Sequence, residues 1–463
     1  MKKKIFSILL ALVLVLSFSL VTAVTVAAAE PSEVWVDDDA PSEWYDETHF
    51  ATIQEGIDAV DPGGTVIVAA GTYDEQVVID KALTLQGAGD TTIIQPSGPG
   101  LMTTTSIPWF GGTNTMAAIV SVDTTGDEVT IRDLKINGSL ITTTSTTWVA
   151  GLVYLETSGT VENLTVVGNP DIGCRSVGIW ASAMSETTLV EVTECTIIDQ
   201  NRAGIYAYGA TITADYNNNV INGPGTLTEQ VPNGFFFLEG AKGSATYNTI
   251  TDMAYGGEVY RSSGIGTYRP GADLIFGHNE IYNVQNAFAI AGGSDATIEY
   301  NDIHDCHTGV KLEAIGDNRA SDVMIQYNDI RDNDFAIRCG GDMGNGNEAH
   351  YNNFVGNLGD EWIWGDDTWI GAVSNVHEEY IFDATHNWWG DISGPSGVGP
   401  GIGDAVSANV DYDPWLTAPW VPTKADILKD SGVPGKGLEK APGQQKPFNP
   451  KSKAGEHAGK KDK

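Results

Sequence analysis

His278-Asn279-Glu280-Ile281, Tyr300-Asn301-Asp302-Ile303, Tyr327-Asn328-Asp329-Ile330 and Tyr351-Asn352-Asn353-Phe354 are versions of one short phrase. Weaker versions carry it back through Asn248, Asn219, Cys195, Leu164 and Leu134, at intervals of 22 to 31 residues. A helical repeat of this length would need amphipathic stretches of about ten residues or more, and none lies between these marks. Each unit instead holds short alternating runs of Ile, Val, Thr and Tyr, separated by Gly, Asn and Asp. That is strand and turn chemistry. One such coil cannot bury its own apolar face, but a stack of coils can. The expected fold is therefore all-β: a right-handed parallel β-helix.

The column of Asn reads as structural. Equivalent residues of stacked coils lie ~4.8 Å apart. The Asn amide can donate to one neighbouring copy and accept from the other, and Asn tolerates the backbone angles of tight turns. The apolar residue two places on (Ile197, Ile221, Ile250, Ile281, Ile303, Ile330) then points inward. A second column precedes the ladder: Tyr247, His278, Tyr300, Tyr327, Tyr351 and His386 are read as rings that stack and support the turn.

A further strand per coil starts at a small residue, as in Gly178-Ile179, Gly204-Ile205 and Gly309-Val310. Period-2 alternation sends the second residue in and the next one out. The outward column then reads Val153, Trp180, Tyr206, Phe236, Gly266, Ala289, Lys311 and Arg338, with Tyr208, Tyr268 and Glu313 also outward two residues further on.

A solenoid needs caps. Thr52 to Val60 reads as a short amphipathic helix over the N-terminal end, and the Trp-, Gly- and Pro-rich region from Asn387 as the last coil and a C-terminal cover. Residues 1–29 have the Lys-rich start, apolar run and small-residue end of a secretory signal peptide, with an uncleaved anchor as the alternative. Residues 30–422 form the β-helix domain. Residues 423–463 are rich in Lys, Pro and Gly and read as a disordered tail, either a tether to an anionic surface or a solubilising extension. A secreted or cell-surface monomer is expected, with no integral membrane segment once the leader is removed.

The chain has 25 basic and 61 acidic residues. Three Lys lie in the leader, and ten Lys with five acidic residues in the tail. The body therefore carries 12 basic against 56 acidic groups, a net of −44. Such a surface repels phosphate backbones, which argues against nucleic acid as a partner. It also repels polyanionic glycans unless Ca²⁺ bridges the two. The four cysteines (Cys174, Cys195, Cys306, Cys339) show no CxxC metal spacing and read as buried thiols, with one or two incidental bridges as the alternative.

The opening VWVDDDAPSEWYDETHFATIQEGIDAV (34–60), the YNDI coils and the closing NWWGDISGPSG (387–397) resemble secreted right-handed β-helix repeat proteins of the pectin-lyase-like superfamily, nearest to its NosD-like, carbohydrate-binding and sugar-hydrolase repeat group. The resemblance spans Val34 to Pro419. It implies the fold and a polysaccharide or cell-envelope glycan as partner. It does not imply one activity, because the superfamily holds lyases, hydrolases, esterases, epimerases and non-catalytic binders. Asp273-Leu274-Ile275-Phe276-Gly277 resembles the DFIFG-like strand of pectin methylesterases, but the companion motifs are missing. Gly277-His278-Asn279 departs from the polygalacturonase Gly-His-Gly.

The site expectations follow from the outward columns. Trp180, Tyr206, Phe236, Tyr208 and Tyr268 form an aromatic strip for stacking on sugar rings. The opposing possibility is that long segments of the chain pack on these rings, those between Ile221 and Gly234 and between Ile250 and Gly264 being long enough. Lys311, Arg338, Glu313 and His304 are the candidate catalytic or carboxylate-reading groups, with His307, Asp305 and Asp332 nearby. Asp37-Asp38-Asp39 and the group Asp404, Asp411, Asp413 are candidate Ca²⁺ ligands. The expected function is carbohydrate binding by a non-catalytic β-helix; the alternative is a polysaccharide lyase or glycoside hydrolase.

Overall fold

The computed structural model describes residues 30–422 apart from 97, 99–103, 143–147, 258–261, 293–294, 316, 341–342, 365–366 and 378–379. The leader and tail expectations lie outside the described residues. The chain is a right-handed parallel β-helix. Two long, almost wholly parallel sheets account for most of it, one of 24 strands and one of 15. The larger sheet takes two strands from most coils and the smaller takes one.

Register follows the repeat. In the larger sheet Ile281 lies beside Ile303, Ile303 beside Ile330, and Ile330 beside Phe354, all buried. Between coils Asn219, Asn248, Asn279, Asn301, Asn328, Asn352 and Asn387 form an unbroken ladder. Each Nδ2 donates to the next Oδ1 at 2.9–3.0 Å. The same Oδ1 also accepts the backbone N–H of the preceding Asn, as Asn328 does from Asn301 at 2.9 Å. The left-handed backbone does not fall on the Asn, as the sequence had suggested, but on the residue before it. Tyr247, His278, Tyr300, Tyr327, Tyr351 and His386 all have φ of 57° to 61°. Their rings stack, from Tyr247 on His278 at 4.6 Å to Tyr327 on Tyr351 at 5.5 Å, and His386 closes the column tilted against Tyr351 at 5.7 Å. The strained conformation repeats because the ladder and the ring stack hold it in every coil.

Helix Ile53–Ala59 closes the N-terminal end. Ile53 and Ile57 are buried, while Gly56 sits where a Cβ would meet the side chains of Val36 and Val66. Thr52 caps it by accepting the Glu55 N–H, and the Glu75 carboxylate accepts the N–H groups of Ile53 and Gln54 at 2.8 and 3.1 Å. At the other end Trp389 is buried against Phe354. The segment after it runs back along the coils, so that Trp420 exchanges two backbone hydrogen bonds with the Asn353 side chain. All four cysteines are buried and free. Among the described residues no helix is long and apolar enough to cross a membrane.

Candidate functional site

The smaller sheet carries the outward column in the expected order. Val153, Trp180, Tyr206, Phe236, Gly266, Ala289, Lys311 and Arg338 are each the register partner of the next. The aromatic part of that column is not a solvent-facing strip. Strand Thr104–Trp109 pairs antiparallel with the start of strand Gly112–Asp123, and this hairpin folds over the face. Trp109 lies 4.8 Å from Trp148 and stacks on Tyr208 at 6.1 Å. Trp180, Tyr206 and Tyr208 are at most 2% exposed and join Ile107, Met116 and Trp148 in a second hydrophobic core. The covering segment is neither of the two long ones expected. Phe236 and Tyr268, at the rim, are half-buried. Phe110 and Gly111, both with positive φ, make the hairpin turn; a Trp-Phe-Gly-Gly phrase between two alternating runs was the available signal.

The charged end of the column is also drawn inward. Lys311 Nζ lies 2.6 Å from Glu313 Oε2. Arg338 is 2% exposed, its guanidinium between the rings of Phe335 and Trp369 at 5.8 and 5.1 Å, and 3.5 Å from His307 Nε2. His307 Nδ1 lies 2.7 Å from Asp334. Burial, more than the nearby Arg338 charge, holds the His307 imidazole below its ordinary pKa. Lys311, Glu313 and Arg338 are thus brought together, but Arg338 is fixed within a packed cluster and does not stand open as a base.

His304 is placed elsewhere, on the larger sheet. Strands Glu280–Val284, Asp302–His304, Asp329–Arg331 and Asn353–Val355 run side by side. Their buried Ile281, Ile303, Ile330 and Phe354 force the flanking residues out. One outward line is Glu280, Asp302, Asp329, Asn353; the other is Tyr282, His304, Arg331, Val355. Arg331 donates to both oxygens of Asp302 at 2.8 and 2.9 Å and lies 4.0 Å from Asp329. The His304 ring stacks flat on Tyr282 at 5.2 Å. Its Nδ1 is 2.7 Å from Asp305 and its Nε2 4.0 Å from Glu280. Asp305 only accepts when ionised, so Nδ1 donates to it. Burial, with Asp302 beside it, raises the Asp329 carboxyl above the usual range. The Trp420 strap borders this face at Asn353.

Of the expected Ca²⁺ groups, Asp37, Asp38 and Asp39 do converge, with one oxygen of each within 4.8 Å of the others. Asp404 is committed otherwise. It accepts from Gly356 N, Asn357 N and Asn357 Nδ2 at 2.7–3.0 Å and so ends a second, shorter ladder from Asn333 through Asn357. Asp411 pairs in register with Asp383 rather than with Asp404. In the esterase-like run, Asp273 is a turn residue with φ of 63°, and Leu274 and Phe276 are core.

Residues 226–374 match the family of right-handed beta helix regions. Among solved structures, a GH136 lacto-N-biosidase from Eubacterium ramulus is 15% identical with a TM-score of 0.46, over 70% of this chain and 63% of that one. An alginate lyase from a Paenibacillus species is 15% identical with a TM-score of 0.40, over 62% and 94%. The A-module of a mannuronan C-5 epimerase from Azotobacter vinelandii is 15% identical with a TM-score of 0.44, over 68% and 92%. The chain thus spans less than two thirds of the biosidase. No curated protein matches the sequence significantly.

Proposed function

We propose that this β-helix binds a neutral polysaccharide along the outward face formed by Glu280, Asp302, Asp329, Tyr282, His304 and Arg331. The observation behind it is the pairing in register of carboxylate, imidazole and guanidinium groups on three adjacent strands, on a face left uncovered where the aromatic face is roofed. Carboxylates accept pairs of sugar hydroxyls, and Arg and His complete such hydrogen-bond sets. With Glu280, Asp302, Asp305, Asp329 and Asp332 around a single Arg, the face disfavours a polyanion. Half-buried Phe236 and Tyr268 are a separate, weaker candidate for ring stacking. Calcium enters this reading only for an acidic glycan, as a bridge. Affinity electrophoresis of the chain in neutral and acidic polysaccharides tests it: retardation by a neutral polymer supports the reading, and retardation by none removes it.

One observation favours a second reading, glycoside hydrolysis. Asp329, with a raised pKa, is suited to hold a proton for a leaving oxygen. Its neighbour Asp302 is gripped at both oxygens by Arg331. New reducing ends from a bound polymer would establish this reading; unchanged polymer after prolonged incubation would leave binding alone.

A further inference from the structure

Strand Glu348–His350 lies in the larger sheet, two coils before strand Val410–Asp411. Ala349 is buried, so Glu348 and His350 both point outward. The next coil puts Asp383 directly beside Glu348, and the one after puts Asp411 beside Asp383. Like charges in directly opposed positions repel. Among the described residues, the only basic side chain within ion-pair distance of Glu348 or Asp383 is His350. Its Nε2 lies 3.4 Å from Glu348 Oε2 and 3.9 Å from Asp383 Oδ2.

The far side of the ring fixes its tautomer. Nδ1 is 2.9 Å from the backbone carbonyl of Thr385, which can only accept, so Nδ1 carries the proton. In the neutral ring the lone pair is then on Nε2, which faces the two carboxylates. Thr385 orients Asp383 as well: its N–H and Oγ1 donate to Oδ1 at 3.1 and 2.9 Å, which turns Oδ2 toward His350. Three electron-pair donors therefore converge, and Thr385, not itself a ligand, holds two of them, His350 and Asp383, from behind. A histidine that donates its other N–H to a carbonyl is the usual outer support of a metal ligand. A single proton on Nε2 would offset one of the two negative charges. The face around His304 meets the same crowding with a guanidinium, Arg331 on Asp302; no such side chain reaches this cluster among the described residues.

We propose that Glu348, His350 and Asp383 form a divalent-cation site selective for Zn²⁺. Their ligand atoms all lie within 4.8 Å of one another. Tetrahedral zinc with ligands at ~2.0–2.2 Å places ligand atoms ~3.3–3.6 Å apart, so the 3.4 and 3.9 Å separations need only a small inward movement. One imidazole and two carboxylates suit zinc, whereas Ca²⁺ takes about six to eight oxygens. Position in the last full coils gives the ion a structural task, tying the strand of Glu348 to that of Asp383, which are joined by a single register pair.

The test is a titration of the full chain, stripped with chelator, with ZnCl₂ against a chromophoric competitor. One tight equivalent is expected, with a higher melting temperature when zinc is present. Glu348→Gln and His350→Gln should each weaken uptake by at least about tenfold while melting in chelator as the unsubstituted chain does. No stoichiometric uptake, uptake unchanged in both variants, or equal affinity for Ca²⁺ would overturn the proposal. If the variants fail to fold, X-ray absorption of the zinc-loaded chain decides: one imidazole nitrogen with oxygen ligands is expected, and sulfur or several imidazoles would contradict it.

Discussion

Asn301 and Asn328 share one hydrogen-bonding unit: Asn328 Oδ1 accepts both the backbone N–H and the side-chain Nδ2 of Asn301, each at 2.9 Å. The same unit recurs up and down the ladder, so every buried amide in it depends on the coil beyond. Asn301→Ala removes the acceptor for Asn279 N and Nδ2 and the donor to Phe276 O. Leaving these groups buried and unpaired costs about 3 kcal/mol. Urea unfolding should show the free energy of unfolding falling by that amount, as a lower midpoint at unchanged slope; a near-neutral result would mean the ladder is ornamental.

Trp180→Ala opens a cavity beneath the Thr104–Trp109 hairpin and should cost about 3–5 kcal/mol. The fraction that remains folded should bind glycan as the unsubstituted chain does, because Trp180 is fully buried. Selective loss of glycan affinity with unchanged stability would restore the exposed-strip interpretation.

These two residues mark what the sequence discloses. Asn328 belongs to a repeat, and a repeat states its own geometry: spacing gives the coil, period-2 alternation gives the inward and outward columns, and both match the register. Trp180 was placed correctly in its column, yet its burial depends on a hairpin far along the chain whose docking no repeat encodes. Likewise Arg338 lies beside Lys311 as expected, while the Trp369 ring that covers it comes from an insertion outside the coils. His304 was singled out from a cluster of titratable residues, but its true neighbours, Glu280 and Tyr282, sit one coil away. Only the register reveals that Asp302, Asp329 and Arg331 share its face.

Acid should destabilise the protein partly through His307. Its folded pKa lies below the ordinary value near 6.5, so the unfolded chain takes up the proton first. The stability that the neutral imidazole gives is fully present above pH ~6.5 and is lost as pH falls through the lowered folded value. His307→Gln should flatten that part of the stability–pH curve. An unchanged slope would place the titration elsewhere.

The cysteines should be inert in the native state. Burial pushes the thiol of Cys174 up to about 11 and those of Cys195 and Cys306 to about 12. Thiolate is the reactive form. Alkylation at pH 8 should therefore proceed only as fast as the chain opens, and stoichiometric labelling within minutes in the absence of denaturant would contradict the packing described.

The face around His304 is tested most directly by comparing the full chain with His304→Ala and Arg331→Ala for binding to a neutral polysaccharide that retards the parent. Both side chains are partly exposed, so the fold should survive. The account predicts a loss of affinity of about tenfold or more in each, from removal of charge-assisted hydrogen bonds worth ~1.5–3 kcal/mol. Undiminished affinity in both variants would show that the glycan, if it binds, lies on another face.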